Sequence, residues 1–232
     1  MLKFDANRFD QRKPEWMVPL SRLVDAYGRV YHRSEIDGID RIPRGKGLYV
    51  GNHNGGLLSI DTFVAFSRVV LERGIEDSPF ALAHSVLVNL PGFNHVMVPL
   101  GAVEATWENA GRAFERGHKL LVYPGGDIET FRSFSERHQV KFGNRRGWVR
   151  LALTHDVPII PVATAGAHAT YIVLNDGREL VDLLKFPKWL RLKRWPVVFS
   201  IPWGITLGPS PPYLPLPVKI AIEFLEPIHF ER

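Results

Sequence analysis

Between Trp16 and Tyr31, apolar side chains recur at Leu20, Leu23, Val24, Tyr27 and Val30. That three-and-four spacing predicts an amphipathic helix. Gly47-Leu48-Tyr49-Val50-Gly51 is a short apolar run closed by glycine and predicts a buried strand. Leu57 to Arg73 returns to helical spacing, with Phe63, Phe66, Val69 and Val70 on its apolar side. Phe80 to Ala83 and Val96 to Val98 read as weaker strands and Trp107 to Arg116 as a helix. Lys119 to Tyr123 is a strand that runs into Pro124-Gly125-Gly126. Arg146 to His155 is helical, Pro158 to Ala163 is a strand, and Arg178 to Leu184 is a short helix. Lys219 to Phe224 alternates and should return to the sheet. Strands that trade places with helices predict an α/β fold, a central mixed sheet flanked by helices. No linker divides the chain, so residues 1–232 are expected to form one domain. It would comprise a lead-in over 1–46, a core over 47–163 and a basic, Pro-rich region over 164–232.

Composition narrows the classes. The chain has 232 residues, 45% of them hydrophobic and 23% charged, which excludes wholesale disorder. Cysteine is absent, and with it go disulfides, thiol nucleophiles and Cys-ligated zinc. The charged start MLKFDANRFDQRKPEW does not read as a secretory signal. Ser78–Val103 and Trp195–Val218 carry no formal charge, but prolines interrupt both, so neither predicts a membrane-spanning helix. The net charge of +5 points to an anionic partner. Basic and aromatic residues interleave from Lys185 to Trp195, directly before the uncharged stretch. That order suits contact with an anionic membrane surface, reached by a peripheral protein from its cytoplasmic side. Single-stranded nucleic acid would use the same composition but leaves the Gly-rich segments unexplained, so no nucleic-acid partner is expected.

Three segments carry candidate chemistry. In Gly51-Asn52-His53-Asn54-Gly55-Gly56, a histidine follows a buried strand in a Gly-rich turn, with Asp61 downstream. Loops after strand C-termini are where open α/β sheets bind ligands. A carboxylate that fixes one imidazole nitrogen leaves the other to take a proton from a hydroxyl, and a structural histidine in a turn is the alternative. In Tyr123-Pro124-Gly125-Gly126-Asp127-Ile128-Glu129, another strand ends in a Gly-rich turn, here with two acidic residues. Its N–H groups suit an oxyanion, and Asp127 or Glu129 suits a substrate hydroxyl. An ordinary strand-to-helix turn would look the same. Arg145 and Arg146 open the helix that precedes Val157-Pro158-Ile159-Ile160-Pro161-Val162 and suit phosphate contacts or a solvated helix start. There is no G-x-S-x-G, Walker A, G-x-G-x-x-G or H-E-x-x-H motif. The spacing of His53, His84 and His95 gives no support to a metal site.

In order, NHNGG with Asp61, PLGAVEATWENA, VYPGGDIE and the Arg-rich helix start with VPIIPVA resemble the four blocks of the glycerolipid (lysophospholipid-type) acyltransferase superfamily. The resemblance covers roughly Gly47 to Ala163. The tail IPWGITLG…LPLPVKIAIEF resembles the monoacylglycerol- and diacylglycerol-type branch. It implies a glycerol-phosphate acyltransferase-like fold and transfer of a fatty acyl group from acyl-CoA or acyl carrier protein to a lipid hydroxyl. No cofactor or metal is implied beyond that thioester co-substrate. The resemblance places the catalytic histidine at His53 and its acid at Asp61, and matches Gly101 to the second block. Substrate contacts are expected from Gly55, Gly56, Gly101, Gly125, Gly126, Asp127, Glu129 and Arg146, and acyl-chain contacts from Phe63, Phe66, Val86, Leu87 and Phe93. The chain departs from the family pattern in three places. Seven residues separate His53 from Asp61, where four are usual. No arginine follows Gly101-Ala102-Val103, and Pro124-Gly125-Gly126 stands where Pro-Glu-Gly is common. The last two departures imply a neutral or unusual hydroxyl, such as a glyceride or other lipid alcohol, rather than lysophosphatidic acid as acceptor. A catalytically inactive acyl-chain-binding protein on the same scaffold is the alternative.

Overall fold

A computed structural model of the chain describes residues 3–54, 56–184, 194–209 and 212–230. Gly55 and the segment from Lys185 to Lys193 lie outside the described residues. In chain order the elements are α1 (Pro14–Tyr31), β1 (Glu35–Asp37), β2 (Gly47–Gly51), α2 (Ile60–Arg73), β3 (Phe80–Ala83), α3 (Ser85–Asn89), α4 (Phe93–Met97), β4 (Ala102–Glu104) and α5 (Trp107–Glu115). There follow β5 (Lys119–Val122), α6 (Gly126–Thr130), α7 (Gly147–His155), β6 (Ile159–Ala165), β7 (Ile172–Asn175), α8 (Arg178–Leu184), β8 (Val197–Ser200), β9 (Gly204–Leu207) and β10 (Ala221–Phe224).

Seven strands form the central sheet in the order β1-β10-β6-β2-β5-β3-β4. The run from β6 to β4 is parallel, while β10 pairs antiparallel with β6 and parallel with β1. The sheet is therefore mixed, as expected. Successive side chains of β2 and β5 enter opposite layers. Tyr49 and Leu121 join Val64, Phe66 and Val69 of α2 on one face. Leu48, Val50 and Leu120 join Ala110, Phe114, Leu151 and Ala152 of α5 and α7 on the other. Helices on both faces explain why the central strand reads as an uninterrupted apolar run. A three-stranded antiparallel sheet, β7-β8-β9, stands apart with its own cluster of Tyr171, Val173, Val198 and Tyr213.

Two expectations are corrected. Val96 and Met97 lie in α4 rather than in a strand. Buried Asn94 fixes that helix by taking the Phe4 N–H on its Oδ1 and donating Nδ2 to the Phe4 and Val88 carbonyls. The strand of this region is β4, further along. In α1 the buried stripe is Met17, Ser21, Asp25 and Gly28, while Leu23 and Val30 point outward. A Cβ at Gly28 would stand 2.9 Å from Val64, so glycine lets the two helices approach. Asp25 is the acceptor for Arg29 and Arg68.

Candidate active site

The C-terminal ends of β2 and β5 are neighbours, and the loop after β2 is tied down residue by residue. Asn52 exchanges two 2.8 Å bonds with the backbone of Thr164, which binds the end of β2 to β6. The His53 N–H donates to Glu129 Oε2 at 2.8 Å, and the His53 carbonyl accepts from Arg132 Nη1 at 2.9 Å. Gly51 has to be glycine because a Cβ there would stand 2.7 Å from the Tyr123 ring. That ring packs on the imidazole with centroids 4.6 Å apart, and its hydroxyl bonds Thr62.

The imidazole partner is Ser59, not Asp61. Ser59 Oγ lies 3.1 Å from His53 Nδ1 and donates its hydrogen to the Asn54 carbonyl at 3.1 Å. A hydroxyl so committed accepts from Nδ1–H, which leaves Nε2 with a lone pair. Burial pushes the imidazole down to about 4, assisted by the Arg132 charge and opposed by a hydrogen bond to the Asn54 backbone, so the ring is neutral at physiological pH. The expected direct hydrogen bond from His53 to Asp61 is not made. The seven-residue spacing carries Asp61 into the first turn of α2, where Oδ2 accepts from Asn54 Nδ2 at 3.1 Å and buried Oδ1 has no hydrogen-bond partner among the described residues. Burial raises Asp61 to about 6, against the Asn54 bond.

The turn after β5 is a packing device. The Cβ space of Gly125 is filled by the Glu129 side chain and by the Lys141 carbonyl at 2.6 Å. That of Gly126 (φ +50°) is filled by Arg145 Nη1 at 2.5 Å. Gly126 N–H, an expected oxyanion donor, is taken by the Tyr123 carbonyl at 3.1 Å. Asp127 forms an ion pair with Arg145, which also holds the Pro124 and Gly125 carbonyls. Glu129 is fully buried between two N–H donors, those of His53 and Lys141. Gly56 (φ +69°) abuts Tyr171 and Tyr213, and the Tyr213 hydroxyl accepts from Leu58 N–H at 3.1 Å, which anchors the small sheet to the His53 loop. Gly101 lies at the N-terminal end of β4, at the opposite end of the strands from His53, and Arg146 is an exposed residue before α7.

Four contributors escaped sequence reasoning: Ser59, Asn54, Arg132 and His168. Buried Arg132 reaches Asn54 Oδ1 at 2.8 Å, and buried His168 lies 2.9 Å from the Arg132 carbonyl through Nε2. Burial lowers His168 to about 4, so it is neutral and donates there. An apolar cavity of about 140 Å³ lies between α1, α2 and the sheet, lined among others by Leu20, Val24, Phe63, Phe66 and Leu121. Thr62 lies in its wall and links it through Tyr123 to His53. Phe63 and Phe66 line it, whereas Val86, Leu87 and Phe93 do not.

This is the fold of a PlsC-type acyltransferase, with a histidine at the end of the central strand. The solved 1-acyl-sn-glycerophosphate acyltransferase PlsC of Thermotoga maritima superposes with a TM-score of 0.55 at 16% identity, covering 93% of this chain and 68% of that one. The chain belongs to the diacylglycerol acyltransferase family, whose model it matches over residues 4–230. Among its relatives are proteins named "DGAT1/2-independent enzyme synthesizing storage lipids". The one from Mus musculus is 26% identical over 212 residues and the one from Gallus gallus 29% identical over 201. These matches cover 91% and 84% of the chain but only 57% of either relative, so the chain spans little more than half their length.

Proposed function

We propose that the protein transfers a fatty acyl group from an acyl thioester, acyl-CoA or acyl carrier protein, to the hydroxyl of a neutral lipid alcohol, with His53 as general base. The observation that carries this reading is the contact of Ser59 Oγ with His53 Nδ1, a hydroxyl that donates to the Asn54 carbonyl, which leaves Nε2 to accept a proton at the C-terminal end of β2. His53 Nε2 takes the hydroxyl proton as the acceptor oxygen attacks the thioester carbonyl carbon. The C–S bond then breaks, the thiolate leaves, and the imidazolium returns the proton to it as thiol. No acyl-enzyme forms. Ser59 holds the ring, and the Asp61 carboxylate offsets the imidazolium charge from behind Asn54. The cavity beside Phe63 and Phe66 takes the acyl methylenes. General-base assistance is worth about 10²–10⁴ in rate. The relatives' names support a storage lipid as the product. The test is thiol release from a panel of acyl-CoA and acyl carrier protein donors with mixed lipid alcohols. Release is expected with wild type and not with folded His53→Ala. Acyl-chain binding without turnover would favour the inactive carrier instead.

The same reading places the protein peripherally on an anionic membrane, from the cytoplasmic side. Among the described residues no helix is long and apolar enough to cross a membrane. Phe199 faces Ile205 and Val197 faces Leu207 across β8–β9, and Phe199, Ile205, Leu207 and the adjoining Trp203 are all exposed. An uncharged face of this kind, next in sequence to five basic residues between Lys185 and Arg194, suits acyl chains below anionic headgroups. The C-terminal end of α1 joins this lobe through Tyr31 and Arg33, which bond the Pro215 and Pro217 carbonyls. Co-flotation with anionic liposomes, lost in Trp203→Glu/Ile205→Glu, is the expected result. Flotation unchanged by the substitutions would remove this face from the contact.

A further inference from the structure

Arg132 is a buried cation that the mechanism above does not use. All five of its N–H donors are committed. Nε bonds the Glu136 carbonyl at 3.2 Å, Nη1 the carbonyls of His53 at 2.9 Å and Glu129 at 2.8 Å, and Nη2 Asn54 Oδ1 at 2.8 Å and the Arg137 carbonyl at 3.1 Å. None of these five bonds goes to a carboxylate. Removing a guanidinium from water is costly without a paired anion, and backbone carbonyls alone do not require a full charge. The fork is needed for a different reason. One edge reaches the His53 carbonyl while the neighbouring nitrogen reaches the Asn54 amide, a geometry that a lysine ammonium does not reproduce.

We propose that Arg132 is the positioning residue of the His53 base, fixing the His53–Asn54 peptide and, by orienting the Asn54 amide, seating Asp61 behind the imidazole. This rests on the reading of His53 as the base. The His53 residue is gripped on both sides, its N–H by Glu129 and its carbonyl by Arg132. The Asn54 amide has only one sensible orientation beside a guanidinium. Oδ1 faces Arg132, so Nδ2 faces Asp61 Oδ2 at 3.1 Å and the Asn52 carbonyl at 3.2 Å. His168 holds the Arg132 backbone from the far side.

Charge follows the same chain of contacts. The groups facing His53 are the Ser59 hydroxyl, the Tyr123 ring bound to Thr62, the Glu129 carboxylate at its N–H, Asp61 behind Asn54, and Arg132 with His168 beyond it. With Asp61, Glu129 and Arg132 ionised, the cluster carries one net negative charge, and protonation of His53 brings it to neutral. The Arg132 charge lowers both His53 and Asp61. Its loss therefore moves both upward and carries the acid limb of activity with them.

The test uses Arg132→Lys, Arg132→Met, Asn54→Ala and the Arg132→Lys/Asn54→Ala double variant, with folding checked by thermal unfolding. Misplacing a base by about 1 Å costs roughly 10² in rate. Arg132→Lys, which keeps the charge and loses the fork, should lose about that factor in kcat with KM little changed and the acid limb in place. Arg132→Met should lose a similar factor and also shift the acid limb to higher pH. The double variant should be no worse than the more damaged single variant, because both act through one amide. Wild-type kcat in Arg132→Lys, or a loss confined to KM, overturns the proposal, as does full additivity in the double variant. If the Arg132 variants do not fold, Asn54→Ala decides alone: it must show the kcat loss with Arg132 intact. If wild type turns over no donor, the reading of His53 fails separately. Nitrogen NMR of the imidazole then decides. A tautomer and titration that differ between Arg132→Lys or Asn54→Ala and wild type support the positioning role, and unchanged ones overturn it.

Discussion

Ser59→Ala separates the orienting group seen in the structure from the one the spacing suggested. The Ser59 hydroxyl does two things: it accepts from His53 Nδ1–H and donates to the Asn54 carbonyl, each at 3.1 Å. Alanine leaves both partners in place and removes the bridge. The Nδ1–H then keeps only the Asn54 backbone as a partner, and loss of the serine acceptor costs the working tautomer about 0.5–1.5 kcal/mol. At about 1.4 kcal/mol per tenfold, that lowers the population of rings with a free Nε2 by roughly 2- to 12-fold. Turnover should fall by the same factor in the thiol-release assay, while a small, well-packed substitution leaves the unfolding temperature close to wild type. Asp61→Asn keeps an acceptor for Asn54 Nδ2 and removes only the charge, so at every pH it should show the lowered turnover that wild type reaches once Asp61 is protonated. Activity of wild type should decline as Asp61 protonates near its value of about 6, and that limb should vanish in the variant. A folded Ser59→Ala enzyme at wild-type speed beside a dead Asp61→Asn enzyme would refute this assignment and return the orienting role to the carboxylate.

Other sites give sharp expectations. Buried His168 is neutral when folded, with its value near 4 against an ordinary 6.5, so stability is whole above 6.5 and declines as pH falls from 6.5 to 4. At 1.36 kcal/mol per unit the loss from His168 reaches about 3 kcal/mol, and His168→Gln should make that part of the urea-unfolding profile shallower, leaving the share of His53, which is lowered likewise. Asp77 holds buried Lys119 at 2.6 Å and also Arg73 and Arg44, at the end of the sheet away from His53. Asp77→Asn strands the ammonium and should cost about 3–5 kcal/mol on urea unfolding. Lys119→Met leaves both arginines on the carboxylate and should cost less, and neither should change activity per folded molecule. Gly125→Ala should cost roughly 10² in kcat by pushing Glu129 off the His53 N–H, and in a Glu129→Ala background it should still destabilise the fold, because the new Cβ also meets the Lys141 carbonyl.

The fold was legible where one period dominates. Gly47–Gly51, Lys119–Val122 and the helices that begin near Trp107 and Arg146 lie within a few residues of their predicted places, because strands covered on both faces and helices with one apolar stripe leave strong patterns. Legibility failed where a tertiary bond overrode local pattern. His95-Val96-Met97-Val98 has strand composition, yet Asn94 clamps it as a helix against residue 4. Ala102–Glu104 and Glu35–Asp37 are three-residue strands, too short to show a period. In α1 the apolar count pointed to Leu23 and Val30 as inward, whereas the approach to α2 selects the small and polar stripe of Ser21, Asp25 and Gly28.

For the candidate site, position was legible and partnership was not. A histidine after a central strand, between glycines, announces itself by residue type. The group that orients it does not, because a serine six residues on has many reasons to exist. The long interval to Asp61 is resolved by geometry rather than by tolerance. The first turn of α2 carries the carboxylate past hydrogen-bonding reach of the ring, Ser59 takes the bonding position, and Asn54 spans from the loop to the acid. On the proposed reading, the two roles of one carboxylate in a short motif, fixing the tautomer and balancing the imidazolium, fall to a neutral hydroxyl and a charge one residue removed. A divided arrangement needs something to keep its halves in register. Among the described residues, the guanidinium of Arg132 bonds both the histidine carbonyl and the bridging amide. The loss of the short spacing and the presence of a buried arginine with no carboxylate on its fork are thus one structural fact seen from two ends.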